Sequence, residues 1–506
     1  MDGMSPEDPP DWTEFCGAPD FGALVPVEFE RYRPAVVDGL THFLQSLPAE
    51  RAADILFEQA SMREDMGVDE RLVAMAHHCP ALHKLGQVMA RDRRLPVRFR
   101  RLLQQLETMK PAHDLGWIPG ELERELGPMS SLHVSIDEPP LAEASVAVVV
   151  PFSCREGGEG GPRRGVFKLL KPGIEQKLHD ELEVLRDIGA LLDDRCQHYG
   201  IPAIDYEGTF AQVRDLLYFE VHLEKEQDHL RMARAAYAKN PSVIVPEVFP
   251  FCTPRVTAME RIDGRKVTDV ETMAVEDRRR LADLITGALI ARPIWSLGPR
   301  TLFHADPHAG NLMVTDDHRL AILDWSLVGY LSKSDQIRLS QILIGAATLD
   351  MGRISDAIVG LAEGGIDADA LGRVVEDKLT LIRDGQVPGV TWLTDLMDDS
   401  VTKARGRFGP DLVIFRKVLQ TLNGVVADVS EESRADAVLA ASLVSRLGME
   451  LPGRMIARPL SRAFATHLSN ADLAHLSMSA PLIISRYWLS RWQAFAPAAK
   501  ESRSTS

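Results

Sequence analysis

Three polar residues near the middle of the chain have types and spacing that could do chemistry together. Asp306 lies in Phe303-His304-Ala305-Asp306-Pro307-His308-Ala309-Gly310-Asn311; Asn311 follows it by five positions, and Asp324 stands thirteen further on, just before Trp325-Ser326. Two short apolar runs, Asn311–Val314 and Leu320–Leu323, flank the polar stretch Thr315-Asp316-Asp317-His318-Arg319, which predicts a hairpin with an amide at one end and a carboxylate at the other. Both side chains offer hard oxygen ligands of the kind Mg²⁺ takes. A carboxylate placed just before them can orient an attacking hydroxyl or water. Phosphoryl transfer makes these demands: cations neutralise nucleotide phosphates, and the rest of catalysis is positioning. A His-x-Asp string on a surface loop is the bland alternative, and the apolar–turn–apolar–Asp unit that follows argues against it. His308 reads as stabilising the turn.

Lys168 is the second element. It ends the apolar run Val166-Phe167 within a predicted strand, and a lysine held in a half-buried strand needs an anion. The kinase lysine sits in a similar Val-Ala-Ile-Lys strand, facing phosphates and a helix carboxylate. Lys171 competes for this role, but its place at the strand exit predicts a solvated side chain.

The elements that must position these groups are visible in the apolar pattern. Helical spacing runs from Phe29 to about Met109, with breaks at Pro80 and Pro96. Near Ser130 the pattern turns to strands: Ala144–Val150 and Val166–Leu170, joined by the flexible REGGEGGPRRG, then helices from Ile174 to Leu192 and from about Leu216 to Ala238, then strands at Val243–Pro246 and Arg255–Met259. This order predicts a small α/β lobe. After Asp263-Gly264 the chain is helical apart from the predicted hairpin. The expected boundaries are an irregular leader at 1–28, a helical extension at 29–128, the small lobe at 129–262, a helical large lobe at 263–430 and a helical extension at 431–506.

Composition limits the function classes. With 506 residues, 45% hydrophobic and 26% charged, the chain reads as globular with two or three structural units. A net charge of −16 disfavours nucleic acid as a partner, because no broad basic field is present. Five scattered cysteines without a CxxC pair argue against a disulfide framework and a zinc site. No secretory pattern opens the sequence and no run of about 18 uncharged apolar residues appears, so the expectation is a cytoplasmic protein without a transmembrane helix. Residues 481–495 are amphipathic, with two Trp, two Arg and no acid. They read as packing on the protein itself or a partner, with peripheral membrane contact as the other use.

Several strings together resemble the UbiB/AarF/ADCK family of atypical kinases. Lys84-Leu85-Gly86-Gln87 matches its KxGQ motif, and Pro140-Leu141-Ala142-Glu143-Ala144-Ser145 its Ala-rich loop. Phe167-Lys168 through Lys171-Pro172-Gly173-Ile174 is similar to its VxVKVxxPG segment, Met259-Glu260-Arg261-Ile262-Asp263-Gly264 to its interlobe hinge, and His304–Asn311 to its HADPHPGN. The similarity runs in order over residues 75–430. It implies an α+β, two-lobed protein-kinase-like fold with an N-terminal helical KxGQ extension and a helical C-terminal extension.

The resemblance also implies roles: Asp306 and Lys168 catalytic; Lys168, Ala142, Ala144, Ser145, Glu220, Glu226, Glu260 and Ile262 around ATP; Asn311 and Asp324 on Mg²⁺. Lys84, Gly86 and Gln87 would cover the catalytic cleft near Asp306 and Asp324 and block a bulky protein acceptor. Lys84 and Gln87 lie three apart on a helix, on one face, and a glycine in a helix interior costs about 1 kcal/mol relative to Ala. The implied activity is ATP hydrolysis or phosphotransfer to a small molecule or lipid, in support of ubiquinone or other isoprenoid-lipid metabolism, alone or with a partner enzyme complex. The sequence departs from the pattern at Glu143, at His222 in place of the Asp of an ExD motif beginning at Glu220, and at Trp325-Ser326 in place of Phe-Gly. Loss of that glycine predicts a less mobile segment. These departures favour the alternative of a nucleotide-binding pseudokinase scaffold; an antibiotic-type phosphotransferase is disfavoured by KxGQ and the Ala-rich loop.

Overall fold

The computed structural model of the protein describes residues 27–63, 78–91, 97–104, 115–136, 139–155, 162–201, 205–431 and 435–479, with a few single positions between these runs. Most of the expected leader and the amphipathic stretch 481–495 lie outside the described residues. Helix accounts for 60% and strand for 12%, and the strands gather into small sheets rather than alternating with helices, so the class is α+β. The chain divides into two compact units, Met1–Asp228 with Val248–Arg261, and His229–Glu247 with Ile262–Ser506.

The first unit holds a five-stranded antiparallel sheet. Its strands are β1 (Val134–Ser135), β2 (Ala142–Glu143), β3 (Ala147–Cys154), β4 (Arg163–Leu170) and β6 (Val256–Glu260), in the order β1-β3-β4-β6 with β2 on β3. Alternation along β4 sends Phe167 and Leu169 into a core with Phe152, Phe249 and Val256, while Leu170 joins a second core on the other face. That second core is helical. Helix Ile174–Tyr199 is its axis, contributing Leu178, Leu185 and Ile188, against Phe43 and Ile55 from the N-terminal helices, Leu85 of helix Pro80–Arg91, and Phe210 and Leu217 of helix Tyr206–Glu220. Gly189 makes that last packing possible: a Cβ there would stand 2.9 Å from the Glu207 Cα.

Helix Pro80–Arg91 is docked by a carboxylate. Glu181, wholly buried on the axial helix, accepts from the Ala81 amide at 2.8 Å in the helix's first turn, where N–H groups lack intrahelical partners. Arg51 pairs with the same carboxylate. Burial dominates the electrostatics and raises the Glu181 pKa to about 7, although Arg51 and the Ala81 N–H pull it down.

The second unit contains a four-stranded sheet, β5 (Val243–Ile244), β10 (Leu320–Ile322), β9 (Leu312–Val314) and β7 (Arg265–Lys266) in that order, and a two-stranded ribbon of β8 (Arg300–His304) with β11 (Val328–Ser332). The rest is helical, from Val275–Thr286 to Ala435–Arg454 and a last helix over 470–479.

Three sequence expectations need correction. The strand at Val243, read with the small lobe, pairs in parallel with β10 in the second unit; an apolar period identifies a strand but not the edge that accepts it. The helix read from Leu216 to Ala238 is two, Tyr206–Glu220 and Leu223–Tyr237, separated at Val221-His222. Lys171 is not solvated at the strand exit: it pairs with Glu143 at 2.7 Å, so one of the sequence's departures supplies its counter-ion.

Candidate functional site

In the first unit, Lys168 stands on β4 opposite Thr257 of β6 and is buried. Its Nζ donates to Glu226 Oε1 at 2.9 Å, and Glu226, near the start of helix Leu223–Tyr237, is buried as well. A buried pair of this kind is held for position more than for stability, since desolvation offsets most of the attraction.

A second carboxylate, Glu220, ends helix Tyr206–Glu220 and gathers two other residues singled out in the sequence. Lys84 pairs with its Oε1, and the Ser145 hydroxyl donates to its Oε2 at 3.2 Å. The KxGQ helix, the Ala-rich loop and the ExD position thus meet at one carboxylate. The loop is a tight turn in which the Ala144 amide donates to the Ala147 carbonyl at 2.8 Å; Ala142 and Ala144 are exposed, Ser145 buried. Gly86 is buried within its helix, and the Gln87 side chain lies outside the described residues. His222 joins neither carboxylate: Nδ1 faces the Tyr218 carbonyl at 2.5 Å and the ring lies 4.2 Å from the Tyr218 ring. Glu260 pairs with Gly165 at the end of β6, and Ile262 falls where the chain passes into the second unit.

The second unit organises the acidic motif. The ribbon strand β8 delivers His304, whose imidazole is fully buried and ties the loop to the hairpin. Its Nδ1 accepts from the Asp306 amide at 3.2 Å, which assigns the proton to Nε2, 3.0 Å from the Leu323 carbonyl. Burial lowers the His304 pKa and keeps the ring neutral, as that tautomer requires. Asn311 Nδ2 donates to the Asp306 carbonyl at 3.0 Å, which commits the amide's donor end to the loop, so that its oxygen is the atom that could hold a cation. His308 Nδ1 accepts from Gly310 N at 3.0 Å, the turn-stabilising place its position suggested; a Cβ on Gly310 would stand 2.7 Å from that ring.

Asp324 follows β10 with φ of 49°, a left-handed backbone unusual for a residue with a Cβ. Ser326 holds it there, its amide and hydroxyl both donating to Asp324 Oδ1 at 3.2 and 2.6 Å. Trp325 between them is fully buried; its indole N–H donates to the Ile322 carbonyl at 3.0 Å and its carbonyl faces His229 Nδ1 at 2.9 Å. The Trp-Ser departure therefore builds a segment anchored by hydrogen bonds at both residues. Sequence reasoning missed His304, His229, Glu181 and Arg51 as positioning residues. For His304 a signal existed, an imidazole two residues before the Asp306 carboxylate; the others are identified only by the partners they meet in the folded chain.

Among the described residues no three His, Cys, Asp or Glu side chains gather as a metal site. Asn311 and Asp324 could supply an amide and a carboxylate oxygen, a small hard donor set that fits Mg²⁺, which completes its shell with water and phosphate oxygens. Among the described residues no helix is long and apolar enough to cross a membrane.

A loop closed by an Asp–Asn bond, a hairpin leading to a second Asp and a strand lysine paired with a helix glutamate define the class: a protein-kinase-like fold. Residues 116–358 match the ABC1 atypical kinase-like domain, and the chain belongs to the UbiB/AarF/ADCK family of atypical kinases. It is similar to an uncharacterized chloroplastic aarF domain-containing protein kinase of Arabidopsis thaliana, 27% identical over 60% of this chain and 56% of the relative. It is also similar to a probable protein kinase UbiB of Xanthomonas oryzae pv. oryzae, 28% identical over 63% and 59%. The chain thus matches somewhat more than half the length of these relatives. A solved complex of Rv3197 with erythromycin from Mycobacterium tuberculosis aligns at a TM-score of 0.48 and 20% identity, over 76% of this chain and 95% of that one.

Proposed function

We propose that the chain binds Mg²⁺-ATP and acts as an ATPase or as a phosphotransferase toward a small molecule or lipid. The observation that carries this reading is the loop network, in which Asn311 and His304 fix the backbone of Asp306 from two sides. A carboxylate so fixed can orient a hydroxyl or water and accept its proton. Bound nucleotide with its metal supplies the phosphoryl group and the cationic charge. Asn311 and Asp324 are assigned to that metal, and Lys168, held by Glu226, to the phosphates. Ala142, Ala144, Ser145, Glu220, Glu260 and Ile262 are assigned to the nucleotide's surroundings. Lys84, Gly86 and Gln87 are assigned to excluding a bulky protein acceptor. The UbiB name of several relatives supports a role in ubiquinone or isoprenoid-lipid metabolism, alone or within an enzyme complex.

Phosphate release from Mg²⁺-ATP, measured beside nucleotide affinity, tests the proposal. Asp306→Asn should lower turnover at least about 100-fold while leaving ATP affinity near that of the unchanged protein. Asp324→Asn should abolish Mg²⁺-dependent binding, since a neutral amide cannot balance the ion's charge. Turnover or binding unaffected by either substitution would overturn the assignment. Nucleotide binding without turnover in the unchanged protein would favour the scaffold.

A further inference from the structure

Three tryptophans of the second unit are among the largest wholly buried side chains, and two of them have paired indoles. Trp325 Nε1 donates to the Ile322 carbonyl and Trp392 Nε1 to the Lys378 carbonyl, each at 3.0 Å. Trp295, 2% exposed, has an Nε1 with no hydrogen-bond partner among the described residues. The hydroxyl of Ser340, 3% exposed on helix Lys333–Thr348, also has none. Buried polar groups in native proteins are almost always paired, so two orphans in one place call for an explanation.

Both residues line the same cavity. It has a volume of about 190 Å³, and its walls are mostly hydrocarbon: Ile344 from the Ser340 helix, Leu439 and Leu443 from helix Ala435–Arg454, and Leu468. Val387, half-exposed, lies at its edge. Asp436 is the one charged residue among those lining it, and its carboxylate already accepts from the Val390 amide at 2.6 Å, in the first turn of helix Val390–Thr402.

We infer that this cavity is a binding site for a small, neutral, largely apolar molecule carrying one hydrogen-bond-accepting oxygen, which takes the Trp295 N–H and pairs with the Ser340 hydroxyl. The volume exceeds the roughly 150 Å³ that holds a benzene ring in an engineered apolar cavity, so it suits a six-membered ring with one substituent or the end of a longer chain. The engaged Asp436 leaves no counter-charge for a cationic ligand, and no cation lines the wall to hold an anion. Solvent is a poor occupant: a cavity of this size takes several waters, each wanting two to four polar partners, and beside the engaged Asp436 the lining side chains offer only the Trp295 N–H and the Ser340 hydroxyl. The site shares no residue with the proposed phosphoryl-transfer machinery and does not rest on that reading.

The test uses the full chain labelled with ¹⁵N at tryptophan, titrated with cyclohexanone as probe and methylcyclohexane as the analogue without the acceptor. The indole N–H resonance lost in Trp295→Phe should shift with cyclohexanone, and the other six tryptophans should not. Methylcyclohexane should bind at least about tenfold more weakly, and Ser340→Ala should weaken cyclohexanone by a similar factor, as expected for loss of one hydrogen bond. Leu443→Trp, which fills the cavity, should abolish the shift; should that variant fail to fold, Ala347→Leu narrows the same cavity with less disturbance. A Trp295 resonance unmoved by either probe would overturn the inference. So would a shift seen only after removal of residues 481–506, which would mean that the chain's own C-terminal segment fills the cavity. Equal affinity for the two probes would overturn the role given to the two polar groups.

Discussion

Asp324 adopts a backbone that residues with a Cβ rarely choose, at a cost of about 1–2 kcal/mol, and Ser326 offsets it with two hydrogen bonds to one carboxylate oxygen. The hydroxyl is the removable half of that tether. Ser326→Ala should raise the Mg²⁺ concentration for half-maximal nucleotide binding roughly fivefold, the worth of one hydrogen bond of about 1 kcal/mol. A change of less than twofold in a Mg²⁺ titration would remove Ser326 from the site. Lys168 is a different case, because its loss takes from the buried Glu226 carboxyl group the cation it is paired with. Lys168→Met should destabilise the first unit by about 3–5 kcal/mol. The double variant Lys168→Met/Glu226→Gln should recover most of that stability in urea unfolding while remaining inactive. If stability stayed low in the double variant, packing of the lysine stem rather than the lost ion pair would be the cause. Both pairs illustrate what could be read early. A lysine in an apolar strand announces itself and its need for an anion, but the sequence offers Glu220, Glu224 and Glu226 close together. Only the folded helix selects the last.

At the scale of elements, the hairpin was the most legible feature, because alternating apolar runs around a polar turn admit few other structures. The strand at Val243 was legible as a strand and not as a partner of β10, since two residues carry no register information. The docking of the KxGQ helix was not legible at all. Its anchor, Glu181, is one acid on a long helix that also carries Glu175, Asp180, Glu183 and Asp187, and burial alone distinguishes it. That anchor carries a pH dependence. A folded pKa of about 7, above the ordinary carboxylate value of about 4.3, means that the folded unit prefers the protonated form. The stability from this preference is complete below the ordinary value and is lost as pH rises through 7. Amide protection of residues 81–85, corrected for intrinsic exchange rates, should therefore be lower at pH 8 than at pH 6, and Glu181→Gln should flatten the profile. Protection that rises with pH would mean that Arg51 and the helix terminus outweigh burial.

For the molecule as a whole, the two units should answer to pH in opposite senses. The first carries Glu181, whose contribution fades upward through 7. The second carries His304 and His467, both wholly buried imidazoles. Burial lowers the His304 pKa; burial, with the charge of Lys333, lowers that of His467 to about 4. A depressed imidazole pKa gives stability that is present above the ordinary value of about 6.5 and is lost as pH falls toward the folded value. Asp472 acts in the same direction at lower pH: burial opposes its ionisation, but hydrogen bonds from Arg462, Ser469 and Arg353 hold its carboxyl well below the ordinary range. Acidification from pH 7.5 to 5 should therefore weaken the second unit and spare or strengthen the first. Hydrogen exchange resolved by peptide can follow each unit separately, where a single melting temperature would merge them. Protection in 300–348 and 410–454 should fall over that range while protection in 147–154 and 174–199 holds. His467→Gln should move the loss in the second unit to lower pH, because one of the two imidazoles that must be kept neutral is gone. Parallel loss of protection in both units would show that general charge imbalance, and not these buried groups, sets the acid limit.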